Sequence, residues 1–288
     1  MNKILPSTIQ LLRFPFSFFL MPVYWFALSQ IETIEPFKAI LVFVILHLLI
    51  YPASNGYNSY MDRDTTPIGG LKNPMLPEKQ LLHVTYVLNI FAVGLSLFIS
   101  WLFAAGILLY ILASLAYSSR RIRLKKYPII GFLTVVIFQG ALTFFLVYHG
   151  CSANYVTDVP LLGMVAAAFL IGGFYPLTQI YQHEADIKDG VTTISYLLGY
   201  MGTFIFTGII YAFAFITLGY LFYRQGQVKS FIILQIFMVP VFIYYFRWFF
   251  IVSKDTKEAN FTNTMRMNVI ASACTNLGFM TLLIVRLF

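Results

Sequence analysis

Asn55, Asn58 and Asp62 are spaced i, i+3, i+7, which puts two amides and a carboxylate on one stripe if the segment is helical. Asp64 falls on the opposite side of such a helix and joins the set only where the helix unwinds. Pro67 and the Gly69-Gly70 pair in "NSYMDRDTTPIGGLKNP" supply the means, since neither residue type sits comfortably in a helix interior. A second cluster occupies "QIYQHEADIKDG", residues 179–190. Read as one helix, Gln179, His183 and Asp186 share a stripe, Gln182 and Asp189 flank it, and Glu184 points away. Such oxygen-rich sets suit Mg2+, which prefers one or two carboxylates plus water and substrate phosphate oxygens to a closed protein cage. The missing substrate part is then a phosphate. Cations to hold it lie in "YSSRRIRLKKYP", residues 117–128, and at Lys72, where they would neutralise charge developing on a departing pyrophosphate.

The elements that must carry these groups are membrane helices. Of the 288 residues, 59% are apolar and only 10% charged, with a mean hydropathy of +0.80, which excludes a soluble domain. The apolar residues fall in runs of roughly 20, the length a helix needs to cross the hydrocarbon layer, without the alternation of a barrel strand. Nine spans are expected, near 8–29, 36–57, 81–98, 100–118, 128–149, 159–181, 194–222, 229–252 and 263–287. The third and fourth are short and nearly continuous, which leaves eight as the alternative count. The expected fold is an all-α polytopic bundle forming one domain over 1–288. The first apolar run is too long for a signal-peptide core and is expected to remain as a span. Cys151 and Cys274 are too few for a disulfide framework or a metal site.

With the N-terminus inside, the loops 58–80, 119–127, 182–193 and 253–262 share the cytoplasmic side. That face, with its helix ends, then holds 15 of the 19 Lys and Arg residues, leaving Lys38, Arg224, Lys229 and Arg286 opposite. The positive-inside rule fixes this orientation. The net charge of +8 is therefore topology signal and attraction to anionic lipid, and gives no reason to invoke nucleic acid. Acids normally show little side preference, yet eight of the 11 Asp and Glu residues lie on the same face. Alone, "DRD" reads as a solvated loop and "RRIRLKK" as a stop-transfer cluster. Two acidic sets on one side, four spans apart and accompanied by a basic loop, are hard to produce by topology alone.

On these motifs the sequence resembles the UbiA superfamily of intramembrane prenyltransferases. "LLRFPFSFFLMPVYW" is similar to that family's Arg-containing first helix, and "NSYMD" to the Asn-x-x-x-Asp core of its first motif. "YSSRRIRLKKYPIIG" is similar to its Tyr-Ser…Arg-Leu-Lys…Pro…Gly segment, and "EADIKDGVTTISYLLG" to its second motif and following helix. The resemblance implies nine helices and an isoprenyl diphosphate bound through Mg2+. It also implies Asn58, Asp62, Asp186 and Asp189 as ligands, with Asp64 added from the loop, and Tyr117, Arg123, Lys125 and Lys72 gripping diphosphate. Arg13, Asn55, Gln179, Gln182 and His183 complete the candidate substrate-binding set. The chain departs from the family at Ser59 and Thr66, which stand where acids are often found, and at Gln182 and His183 in the second motif.

The expected activity is prenyl transfer in the membrane. Mg2+, Asp62, Asp186, Arg123 and Lys125 draw off pyrophosphate, and a lipophilic acceptor, aromatic or otherwise, attacks the allylic cation. In a bacterium the protein would sit in the plasma membrane with its active-site loops cytoplasmic. A terpene cyclase would use the same diphosphate site without an acceptor and remains open at this point. A transporter would place ionisable groups near the bilayer midplane; here charges cluster at one interface, with His47 the main mid-span exception. Oligomeric state, acceptor identity and prenyl chain length leave no mark in the sequence.

Overall fold

The computed structural model describes residues 3–287. Helices α1 (Pro6–Leu12), a 3-10 turn (Phe14–Phe19) and α2 (Met21–Gln30) make a bent first segment, with Arg13 in a left-handed conformation (φ 49°). The bend is 42°. Pro22 causes it, because it has no N–H to offer the Phe18 carbonyl four residues back and its ring clashes with that carbonyl, so the preceding turn cannot run on as helix. Asn276 Nδ2 donates to the Phe18 carbonyl at 3.2 Å and so satisfies one acceptor exposed by the break.

The second segment runs from α3 (Pro36–Phe43) through a π-helical stretch (Val44–Ile50) into α4 (Tyr51–Asp62). Next come α5 (Lys79–Ser96), α6 (Trp101–Ser118), and α7 (Pro128–Val135), which passes through a second π-helical stretch (Val136–Leu142) into α8 (Thr143–Cys151). Then follow α9 (Leu161–Gln179), the short α10 (His183–Lys188), α11 (Ile194–Arg224), α12 (Val228–Lys254) and α13 (Phe261–Leu287). In α11, Gly199 (φ 66°) breaks the helical path one turn after its start.

Among the described residues, seven helices are long and apolar enough to cross a membrane, and the bent first pair brings the number to eight. The protein is thus an all-α polytopic membrane bundle. The expected ninth crossing, α5, is an 18-residue helix, but Lys79, Gln80, His83 and Asn89 dilute its apolar stretch and it falls outside that set. Side chains such as Phe37, Ile90, Phe98 and Trp101 are exposed, as a surface solvated by lipid requires.

Helix α9 is the central strut, packed against α11, α7 and the second π-helical stretch. Small residues on α9, including Ala166, Ala167, Gly172 and Gly173, allow backbones to approach closely. At Gly140 a Cβ would lie 2.7 Å from the Ala168 Cα, so any larger residue there would push the π-helical stretch off α9. Stacking of Phe26 on Phe279, with Phe144 against it, locks the first, fifth and last segments together deep in the bundle.

Candidate active site

The first acidic helix ends where its chemistry begins. Helix α4 stops at Asp62 because Arg63 turns left-handed (φ 56°), and Asp64 comes back within the electrostatic reach of Asp62, Lys125, Arg13 and Asp189. Burial first, and then the adjoining Asp62 charge, pushes the Asp64 carboxyl up to about 6. On α4, Asn58 Oδ1 accepts a hydrogen bond from Ser118 Oγ at 2.8 Å. The Asn55 carbonyl and the Gly69 carbonyl each accept from Arg13, at 3.2 Å, so the buried guanidinium pins the 63–78 loop to α4.

The second cluster differs locally from the single helix expected over 179–190. Helix α9 ends at Gln179, a turn takes residues 180–182, and α10 restarts at His183. Gln179, His183 and Asp186 therefore share no stripe. His183 is buried, shares a hydrogen bond with Ser195 Oγ at 2.8 Å and stacks on Tyr200, and burial lowers its imidazole to about 4. It clasps the motif to α11 and does not face the cavity. Gln182 donates to the Pro67 carbonyl at 3.3 Å, tying the two acidic loops together. Asp186 lines the cavity. Burial pushes its carboxyl up to about 7 against the pull of Lys125, with Asp64, Asp62 and Asp189 adding to the rise.

The basic loop joins the two clusters. All close ion pairs among the described residues link it to them: Lys125 to Asp62, Arg123 to Asp189 and, at 3.8 Å, to Asp62, and Arg120 to Asp189 at 2.7 Å. Arg123 reaches this point from a left-handed backbone (φ 53°). Arg120 also donates to the Met61 and Asp62 carbonyls, at 2.8 and 3.2 Å, capping the end of α4. Its place in the basic run gave it no distinction in the sequence. Tyr175 is a further addition: its hydroxyl bonds to that of Tyr117 and accepts from Gln179 Nε2 at 2.8 Å. Its spacing four residues before Gln179 on α9 was the available signal. Lys72 is exposed, makes no ion pair and does not line the cavity.

Part of this set lines a cavity of about 200 Å3, namely Arg13, Asn55, Asn58, Tyr117, Lys125, Gln179 and Asp186, while Asp62, Asp64, Asp189 and Arg123 stand outside its lining. An apolar cavity of about 270 Å3 adjoins it, sharing Phe19, Ile171 and Phe174. The donor set fits Mg2+. It is all hard oxygen, and Asp62 Oδ1 and Gln179 Oε1 are buried without hydrogen-bond partners. Burial, and then the neighbouring carboxylates, hold the Asp64 and Asp186 carboxyls above the usual carboxylate range, a penalty that a bound cation would offset. Among the described residues no three acidic, His or Cys side chains form a ready-made metal cage, in keeping with an ion that takes much of its shell from substrate and water.

The fold and site together define a polytopic helical membrane protein with two acidic segments facing a basic loop at one end of the bundle. The chain belongs to the UbiA prenyltransferase family, whose model matches residues 19–270. Three solved structures show the same fold. A UbiA homolog from Archaeoglobus fulgidus bound to DMAPP and Mg2+ matches with a TM-score of 0.72 at 18% identity, over 97% of this chain and 99% of that one. The A. fulgidus homolog bound to GPP and Mg2+ gives 0.70 at 20%, over 96% and 99%. An apo UbiA homolog from Aeropyrum pernix K1 gives 0.71 at 16%, over 96% and 99%. No curated protein sequence matches the chain significantly.

Proposed function

We propose that the protein is a Mg2+-dependent intramembrane prenyltransferase, moving an isoprenyl group from a prenyl diphosphate to a lipophilic acceptor with release of pyrophosphate. The observation that carries this reading is the convergence of Asp62, Asp64, Asp186 and Asp189 on the 120–125 loop at the mouth of an apolar-walled cavity. The A. fulgidus relatives that hold GPP or DMAPP with Mg2+ support it. On this reading the whole chain works as one domain with nine crossings, α5 being the ninth. Its N-terminus and the loops 58–80, 119–127 and 182–193 face the cytoplasm.

Asn58, Asp62, Asp64, Asp186 and Asp189 would hold Mg2+, which when bound neutralises diphosphate charge. Lys125 and Arg123, now paired with carboxylates, exchange those partners for phosphate oxygens as substrate enters. They then stabilise the negative charge of the leaving group as the carbon–oxygen bond breaks. Tyr117 and Tyr175 line the same cavity as Lys125 and Asp186, and an aromatic ring turned toward the allylic carbon would favour a developing cation through its quadrupole. The adjoining apolar cavity takes the hydrocarbon chain and excludes water from the cation. Lys72, Gln182 and His183 drop from the substrate-binding set: the first is exposed, and the other two hold the loops.

The test is direct binding and turnover. Purified protein should bind DMAPP or GPP only with Mg2+, and should release pyrophosphate when a membrane lipid extract supplies acceptors. Product analysis then separates transfer from cyclisation. No Mg2+-dependent binding across a panel of prenyl diphosphates would refute the reading.

A further inference from the structure

Arg247 and Arg266 are two cations that the acidic segments and the basic loop do not use. Arg247 lies on α12 between exposed Ile243, one turn before it, and exposed Phe250 and Ile251, one turn after it, so the helix repeat brackets it with apolar side chains on one outward stripe. Arg266 lies five residues into α13, about 7.5 Å from the start of that helix, with exposed Val269 one turn further in. Both arginines are themselves exposed. The surface they share is therefore solvated by lipid, where an ionised side chain is costly and normally turns inward to a partner. Phe261 packs edge-on against Tyr181, so the seam between α12 and α13 opens at the same end of the bundle as the acidic segments.

The two helices pack against each other, and Tyr244 marks where the cations meet. Its hydroxyl donates to the Asn263 carbonyl and Oδ1, each at 3.4 Å, which holds it against the first turn of α13. Arg266 reaches the same hydroxyl, and Arg247 stands within electrostatic range of it. Neither guanidinium forms an ion pair among the described residues. Glu258 is the acid of this neighbourhood, but its carboxylate accepts from the Asn260 and Asn263 amides, at 3.4 and 2.7 Å. Two like charges at one seam repel each other. A phosphate between them reverses the sign of that interaction, and each guanidinium can meet it with paired N–H donors. A phospholipid placed so would lay its acyl chains over the exposed Ile243, Phe246 and Val269. A zwitterionic headgroup would bring a cation of its own to the same place, whereas a net-anionic one would not.

We propose that Arg247 and Arg266, meeting at the Tyr244 hydroxyl, form a headgroup site for one anionic phospholipid on the lipid-facing seam between α12 and α13. The site stands apart from the prenyl-transfer reading and does not depend on it. The full-length protein, stripped of lipid in neutral detergent, is given equal amounts of phosphatidylglycerol and phosphatidylcholine with matched acyl chains, and retained lipids are counted by native mass spectrometry. Phosphatidylglycerol should be retained about tenfold or more over phosphatidylcholine, the scale of one charge-assisted contact. Arg247→Gln with Arg266→Gln should bring the two lipids to within about twofold of each other. Lys254→Gln with Lys257→Gln, which removes two other exposed cations at the same end, should leave the preference within about twofold of the parent. The unfolding midpoint of each variant in lipid-free detergent reports an intact fold; should the arginine pair fail to fold, Arg247→Gln and Arg266→Gln singly carry the test, each lowering the preference about threefold. The proposal is overturned if the parent shows no preference, if the preference survives loss of the arginines, or if the lysine pair abolishes it equally, which would mean a diffuse basic face. Displacement of the lipid by glycerol 3-phosphate would assign the site to a soluble phosphate and overturn the lipid as its occupant.

Discussion

Asp62 is closely enclosed, with 5% of its side chain exposed and Lys125 bonded to one oxygen while the other has no hydrogen-bond partner. Asp186 faces it from a separate segment, at the cavity wall. Changing either to Asn keeps the shape and removes charge from a site whose work is charge neutralisation. Asp62→Asn and Asp186→Asn are each expected to lose about two orders of magnitude or more in rate, the scale seen when one electrostatic stabiliser is removed. Glu184 is exposed and makes no ion pair, so Glu184→Gln should stay near the parent. Pyrophosphate release at saturating Mg2+ compares the three; equal activity in all of them would sink the assignment.

At the scale of elements, Arg120 is the joint. Its guanidinium holds the last carbonyls of α4 and the Asp189 carboxylate at once, so it positions two acidic segments without lining the cavity itself. Arg120→Gln is expected to raise the Mg2+ concentration needed for half-maximal activity about tenfold, with a smaller change in rate at saturating metal; the scale is one charge-assisted contact. Arg120→Lys should recover part of the loss, because a lysine can meet Asp189 but cannot fork onto both carbonyls. An unaltered Mg2+ profile would make Arg120 a topology charge and nothing more. Much of the first motif could be read from sequence because Tyr51–Asp62 is an unbroken helix, whose phase follows from residue number. The second could not. Its break at Ile180, Tyr181 and Gln182 contains neither Pro nor Gly to mark it, so His183 and Asp186 were phased as if α9 continued. Arg120 was hidden for another reason: a basic run beside a membrane span is already accounted for by topology, which leaves no residue in it singled out.

At the scale of the whole molecule, the loops bearing these groups meet at one end of the bundle, as the contacts of Arg120 with Met61 and Asp189 and of Gln182 with Pro67 require. Which side of the membrane that end occupies is tested by single cysteines at positions 70 and 124, in a chain with Cys274 replaced by Ala and the buried Cys151 retained. In intact cells both positions should resist an impermeant thiol reagent and react only after permeabilisation. Labelling of either from outside would reverse the assigned orientation. The joining of distant segments also sets a timetable for the newly made chain. Lys125 leaves the ribosome 63 residues after Asp62, a delay of roughly 3 to 13 s at ordinary synthesis rates. Asp189 arrives 66 residues after Arg123, a further wait of about the same length. During biogenesis the first acidic helix end therefore stands at the membrane surface without its basic partner, and later the basic loop stands half-matched. Each interval is a window in which cellular quality control can recognise an unfinished protein.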